Sequence, residues 1–426
     1  MPDFPSSLLT RLKKHALPGL DIGGHFILPK YDDQSILNIP STICKWMDIP
    51  DFESNPLNEQ ITRIIDPGIR KVILILIDGL SLKRFQRWGV ENLVWVSLIK
   101  DGIYSPLTSI VPSTTSSSLV TFWTGRSPAS HGIIGYEMWL KEYAMVANMI
   151  LHTPMTFTKD APGSLQKAGF SPQSFLNVPT LGSHLRNHAV QSYAFSHYSI
   201  ANSGLSQMLM TDVEVFPFQT PASLWVSVRE LLENKPQEKM FTWVYWGQLD
   251  SISHYHGPDD ERAKAEFSHF SAAFEQYFLR TLSNQAKQDT LVILTADHGQ
   301  THTPLAENFT LNKHPQLYHY LRMKPTCENR FAFLYIRPGF EDKVRDYFND
   351  VFPNKFTLIS QEEAFQSSLF GPGPPHPDLI NRVGDFIAIA REDAYLWWAD
   401  QKDFLLGRHG GLYPDDMLVP FVAGKL

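Results

Sequence analysis

Cysteine is almost absent: only Cys44 and Cys327 occur in 426 residues. Two thiols so far apart form no disulfide framework and fit a reducing compartment, where both read as ordinary buried side chains. Long apolar runs are missing too, for no stretch approaches the ~20 residues a membrane span requires. The opening residues, MPDFPSSLLTRLKKHALPGL, lack the continuous apolar core of a secretory signal. The expectation is a soluble, cytoplasmic protein. Basic charge is in deficit, with 37 Lys and Arg against 44 Asp and Glu and a net charge of −7. That argues against a general nucleic-acid-binding surface but not against a small phosphorylated substrate held through metal ions. No internal repeat or low-complexity segment occurs, and nothing indicates an oligomeric state.

What is present is a large supply of core: 43% hydrophobic residues, 12% of the chain being aromatic. Lys71–Ile77, Phe241–Trp246 and Leu291–Leu294 have the length and apolar continuity of strands buried on both faces. Helical patterns fall at Leu181–His188, Pro221–Leu232 and Asp260–Ser283, with a further strand at Gln191–Ser196 and a closing one at Met417–Val422. This rhythm predicts an α/β fold with a mainly parallel central sheet flanked by helices. Residues 1–70, rich in proline, read as an arm packed on a core formed by 71–302 and 401–426. An irregular insertion at about 136–179 is expected to shape a substrate pocket. Residues 303–400 read as a small inserted α+β cap, with strands at Phe331–Ile336, Phe356–Ile359, Phe386–Ala390 and Tyr395–Trp398 and a helix at Glu341–Asp350.

Three of the apolar runs end in chemistry-bearing residues. Lys71–Ile77 runs into Asp78-Gly79, and Leu291–Leu294 into Asp297-His298-Gly299. In open α/β sheets ligands bind beyond the carboxyl ends of the strands, and mixed oxygen and nitrogen donors there suit zinc. Such residues also cap strand ends by bonding nearby backbone. After the strand at 241–246, Asp250 and His254 stand four apart, on one face of a helical turn, with His256 as an alternative partner. Between the first two lies PSTTSSSLVTFWTG, a hydroxyl cluster followed by an apolar run and Gly125, the pattern of a helix start and stop. Its hydroxyls serve as N-caps, or one is a nucleophile activated by a metal while the helix start receives a phosphate. His409 stands among glycines in GRHGG.

Taken in order, ILIDGL, PSTTSSSLVTFWTG with SPASHGIIGY, LDSISH, TADHGQ and GRHGG span residues 71–422 and resemble the alkaline phosphatase superfamily, in its type I phosphodiesterase/nucleotide pyrophosphatase branch. The resemblance implies two divalent cations, zinc or else manganese. Asp78, Asp297 and His298, with the Thr115 oxygen, would hold one; Asp250, His254 and His409 the other. It implies Thr115 as nucleophile, with Thr114 the runner-up, and hydrolysis of phosphodiester or pyrophosphate bonds through a phosphorylated threonine. Tyr136 occupies the place where the branch's diesterases often carry an asparagine that holds a phosphoryl oxygen. Tyr136, Trp139 and Tyr143 could stack on a nucleobase or simply pack the insertion. No Lys or Arg occurs between Lys100 and Arg126, which favours a diester or pyrophosphate bond over a monoester dianion, unless Arg382 or Arg408 folds in. A sulfatase is not expected, since neither cysteine lies in the nucleophile segment. The alternatives are a phosphomonoesterase, phosphomutase or phosphonate hydrolase on the same scaffold, or a binding protein without catalysis.

Overall fold

The computed structural model describes residues 6–155 and 161–426. Its central sheet has seven strands in the order Ile103–Thr108, Leu418–Lys425, Thr290–Thr295, Lys71–Ile77, Met240–Trp246, Gln191–His197, Val213–Phe218. All neighbours are parallel except the two pairs made by Leu418–Lys425. The fold is α/β with a mainly parallel sheet, as the apolar runs predict. Those runs lie side by side in its middle, with Ile75 opposite Val244 on one side and Leu294 on the other. Every residue of the three strands is buried, which is why they read as continuous apolar runs rather than alternating ones.

Helices cover both faces. Phe122 and Trp123 of the helix Thr115–Thr124 pack on Trp243, with ring centres 5.5 and 5.4 Å apart. Trp246 points to the other face, where it meets Phe270 of the helix Glu261–Phe274 at 5.2 Å. That helix gives way to a π-helical turn at Glu275–Leu279, short of the expected end at Ser283. Residues 6–70 carry the helices Ser6–Lys13, Ile39–Trp46 and Glu59–Thr62, whose buried side chains join the same core.

Two strands of the sheet lack the apolar signature. Ile103–Thr108 includes Ser105 and Pro106 and lies at one edge; Val213–Phe218, half exposed and including Pro217, lies at the other. Proline is tolerated at a sheet edge because no ladder donor is lost.

The second sheet is antiparallel, in the order Phe356–Ser360, Phe386–Ala390, Phe331–Leu334, Thr326–Glu328, Glu137–Leu140, Met145–Asn148, Thr153–Pro154. The stretch expected to be irregular therefore contributes three strands, joined to the rest through the pair Cys327 and Glu137. A separate hydrophobic cluster around Phe309, Leu317, Phe348 and Phe352 lies beneath the helix Glu341–Val351. Tyr395–Trp398 is not a strand. Leu396 N–H bonds Asn329 O and Trp397 N–H bonds Phe309 O, each at 2.8 Å. Loops thus satisfy the backbone that a ladder would otherwise claim.

Candidate metal centre

Adjacent parallel strands end side by side, and this brings their terminal residues together. Asp78 follows Ile77, and Asp297 and His298 follow Thr295 by two and three positions. The Gly79 and His298 N–H groups both donate to Asp297 Oδ1, at 3.3 and 2.9 Å. Gly79 has φ +75°, and a Cβ there would sit 3.1 Å from Asp250 Oδ1; the close approach of these two loops requires glycine. Thr115 opens the helix Thr115–Thr124, whose end is Gly125 at φ +61°. Ser109 and Ser118 hydroxyls donate to the Asp297 carbonyl at 2.5 and 3.2 Å, docking the strand end on the helix start.

Asp78, Asp297 and His298 form a buried group whose ligand atoms lie within 4.8 Å of one another. His298 Nε2 is 3.4 Å from both Asp78 Oδ1 and Asp297 Oδ2. Thr115 Oγ1 is 3.1 Å from His298 Nε2 and 3.5 Å from Asp78 Oδ2. Thr114 turns away, its hydroxyl donating to Glu328 Oε1. A second group of the same tightness is Asp250, His298 and His409. His298 thus faces both groups. His254, which the resemblance implies for the second ion, pairs with Asp250 Oδ2 at 3.2 Å and lies 5.1 Å from His409, ring centre to ring centre. His256 is exposed.

The three histidines are oriented alike. Nδ1 of His298 faces the Gly299 carbonyl at 2.9 Å, that of His254 the Gly407 carbonyl at 2.8 Å, and that of His409 the Ser113 carbonyl at 3.2 Å. A carbonyl only accepts, so Nδ1 carries a proton and Nε2 is the atom turned to the site, the second hydrogen bond typical of metal-ligating histidine. Asp78 Oδ1 and Asp297 Oδ2 are buried without a hydrogen-bond partner, an arrangement that costs free energy unless positive charge meets it. Burial, then the charges of Asp297 and Asp250, push the Asp78 carboxyl well above its ordinary range; burial likewise raises Asp297. Burial works in the same direction on Asp250, but His254, with His409 and His298 beyond, outweighs it and holds the carboxyl low. Buried carboxylate oxygens and imidazole nitrogens converging in this way fit divalent cations, which replace the protons that burial would impose.

Three contributing residues lie outside the expected ligand set. Tyr245, inside the strand Met240–Trp246, donates its hydroxyl to Asp78 Oδ2. Gln300 Nε2 donates to Asp250, to Oδ1 and, at 3.2 Å, to the carbonyl. Glu328 arrives from the second sheet. Tyr and Gln in these settings read as core and turn, and a lone Glu in a three-residue strand reads as surface.

Two cavities meet at Thr115 and Asp250. One, of ≈ 380 Å³, runs under the second sheet; the other, of ≈ 220 Å³, runs past Ser196, Ser203 and Ser206. Tyr136 lines the first and accepts a hydrogen bond from Asn148 at 2.6 Å; burial raises its pKa to about 12, so its own proton stays available to donate. Trp139 and Tyr143 pack against the core instead. Among the described residues Arg408 is the only Lys or Arg lining either cavity. Its guanidinium is committed to Asp403, Thr303 and the Leu405 carbonyl and lies 3.6 Å over the Tyr395 ring. Arg382 lines neither; it bonds the Gly132 carbonyl and pairs with Glu142.

Residues 72–412 match the family model described as type I phosphodiesterase / nucleotide pyrophosphatase. Among solved structures, murine ectonucleotide pyrophosphatase/phosphodiesterase 5 is similar with a TM-score of 0.59 and 19% identity, over 83% of this chain and 88% of that one. An inactive threonine-to-alanine variant of the murine protein, in complex with AMP, gives 0.59 and 18%, over 83% and 88%. Phosphonoacetate hydrolase from Sinorhizobium meliloti, in complex with phosphonoformate, gives 0.60 and 17%, over 84% and 90%.

Proposed function

Because the chain belongs to the type I phosphodiesterase/nucleotide pyrophosphatase family, we propose that it hydrolyses a phosphodiester or pyrophosphate bond, with Thr115 as nucleophile and zinc as the metal. Asp78, Asp297, His298 and the Thr115 oxygen would hold one ion; Asp250, His254 and His409 the other, with His298 near enough to both to lean either way. The observation that carries this reading is the convergence of two unpartnered buried carboxylate oxygens and three inward Nε2 atoms around one threonine hydroxyl. Two cations bound there supply charge that lowers the hydroxyl pKa and offsets negative charge developing on the phosphoryl oxygens.

The residues of the chain have defined tasks. Thr115 Oγ1 forms the bond to phosphorus while the bond to the leaving oxygen breaks, giving phosphothreonine; a water molecule then cleaves that ester and restores the hydroxyl. The hydroxyl sits on the first residue of a helix, whose first-turn N–H groups have no intrahelical partner and receive the non-bridging oxygens. Tyr136 donates to the same phosphoryl group, taking the part of the asparagine it replaces. The core, 71–302 and 401–426, carries the chemistry, and 303–400 caps it together with the strands between 137 and 154 that complete the second sheet.

Two features favour a diester over a monoester. Two cavities lead away from Thr115, one for each substituent of a diester. The extra negative charge of a monoester or phosphonate dianion finds no uncommitted Lys or Arg among the described residues that line either cavity. Thr115→Ala is expected to keep about two metal ions per chain and to lose about 10³-fold or more in turnover of bis(para-nitrophenyl) phosphate. Substantial turnover by that variant with saturating zinc, or a large preference of the wild type for para-nitrophenyl phosphate, would overturn the assignment.

A further inference from the structure

The larger cavity has an electrostatic character that hydrolysis alone does not require. Glu328, ending the strand Thr326–Glu328, and Glu137, opening the strand Glu137–Leu140, line it side by side at the seam where Cys327 pairs with Glu137. Glu137 accepts from the indole of Trp398 at 2.8 Å, and Glu328 from the Thr114 hydroxyl. Among the described residues neither carboxyl forms an ion pair with Lys or Arg. Lys324, the cation that acts on Glu137 from a distance, pairs with Asp400, and Arg408 is committed elsewhere. Trp397 and Trp398 line the same space, and Tyr255 and Phe404, stacked at 5.5 Å and 11° and both partly exposed, stand at its mouth.

A cavity that opens onto the reacting phosphate and is walled by two carboxyls and aromatic rings opposes an anionic substituent and attracts a cationic one. Burial raises the pKa of Glu137 to about 7 and that of Glu328 to about 8, so in mildly alkaline solution both supply countercharge, and the faces of Trp and Tyr attract ammonium groups through their quadrupoles. We propose that this cavity binds a substituent of the substrate that carries an ammonium group, and that Glu328 is the residue that selects it. The inference rests on the diesterase reading for what lies at the inner end of the cavity. No bond forms or breaks in it.

The test uses the metal-loaded protein at about pH 9, where both carboxyls are ionised and an aminoethyl group is still largely charged, and three para-nitrophenyl phosphodiesters whose second substituent is trimethylammonioethyl, aminoethyl or the neutral isostere dimethylbutyl. The trimethylammonioethyl and dimethylbutyl esters differ only in a quaternary nitrogen for a quaternary carbon. The wild type is expected to favour the charged ester in kcat/KM by on the order of tenfold; the aminoethyl ester tells a quaternary from a primary ammonium. In Glu328→Gln, which keeps the side-chain shape and an acceptor for Thr114, the ratio of charged to neutral should fall toward one. A ratio is insensitive to partial loss of folded enzyme, so it reports selection alone. Equal kcat/KM for charged and neutral esters in the wild type, or a preference that survives both Glu328→Gln and Glu137→Gln, overturns the proposal. If none of the esters turns over, the diesterase reading fails by itself. Calorimetric binding of the corresponding methylphosphonate monoesters then decides this inference separately: tighter binding of the charged one supports it and equal binding refutes it.

Discussion

Tyr245 offers a direct measure of how the protein holds its cations. The ring is buried in the strand Met240–Trp246 and its hydroxyl donates to Asp78 Oδ2, so Tyr245→Phe removes one hydrogen bond and leaves the packing. Without metal, burial and the charges of Asp297 and Asp250 drive Asp78 toward its neutral form, and a bond to a neutral acceptor contributes about 0.5–1.5 kcal/mol. Beside a cation the carboxylate is ionised and the same bond is worth about 1.5–3 kcal/mol. The substitution therefore costs the loaded form about 1–1.5 kcal/mol more than the free form. At ~1.4 kcal/mol per factor of ten, that is roughly a tenfold loss of metal affinity. The phenol also opposes the rise in the Asp78 pKa, so without it the proton is harder to displace and the deficit should widen as pH falls. Competition with a chromophoric chelator across a pH series measures both effects. Affinity unchanged near neutral pH, or a deficit that narrows in acid, would refute the reasoning.

Other consequences follow from the same geometry. Arg330 Nε and Asp416 Oδ2 pair at 3.0 Å with both side chains fully buried, and the Asp416 carbonyl accepts the Gly299 N–H at 2.8 Å. Asp416→Asn leaves the guanidinium uncompensated and should cost about 3–5 kcal/mol in urea denaturation; a loss under about 1 kcal/mol would mean that the pair acts like a surface one. Metal binding should release protons. Asp78, Asp297 and His254 all have raised pKa values in the free protein, the last through Asp250 overcoming burial, whereas burial already keeps His409 neutral. Affinity should rise with pH, and calorimetry near neutral pH should give heats that depend on the buffer's ionisation enthalpy; heats independent of buffer would contradict it.

The readable parts of the fold are those whose physics is local. Lys71–Ile77, Met240–Trp246 and Thr290–Thr295 are buried on both faces, and that alone makes them apolar throughout. Ile103–Thr108 and Val213–Phe218 are edge strands defined by their partners, and nothing within IYSPLT or VEVFPF records them. The second sheet is assembled from segments nearly two hundred positions apart, its seam being the single pair Cys327 and Glu137. No local pattern encodes such a join, and Tyr395–Trp398 mimics a strand because its aromatic side chains are buried for other reasons. The candidate site divides in the same way. Asp78, Asp297 and His298 announce themselves by following apolar runs, and Asp250 with His254 by their spacing. Tyr245 and Glu328 act through contacts with Asp78 and Thr114 that only the folded chain creates.

The strand Leu418–Lys425 is late in the chain yet inside the sheet, between Ile103–Thr108 and Thr290–Thr295. During synthesis those two partners wait on either side of a gap that over a hundred later residues must be translated to fill. His409 emerges only shortly before it. A nascent chain can thus display most of its candidate ligands without a closed sheet to fix them, so a divalent cation arriving early would meet separate donors. Closure of the sheet therefore waits on Leu418–Lys425, and the fixed spacing of the candidate ligands waits with it.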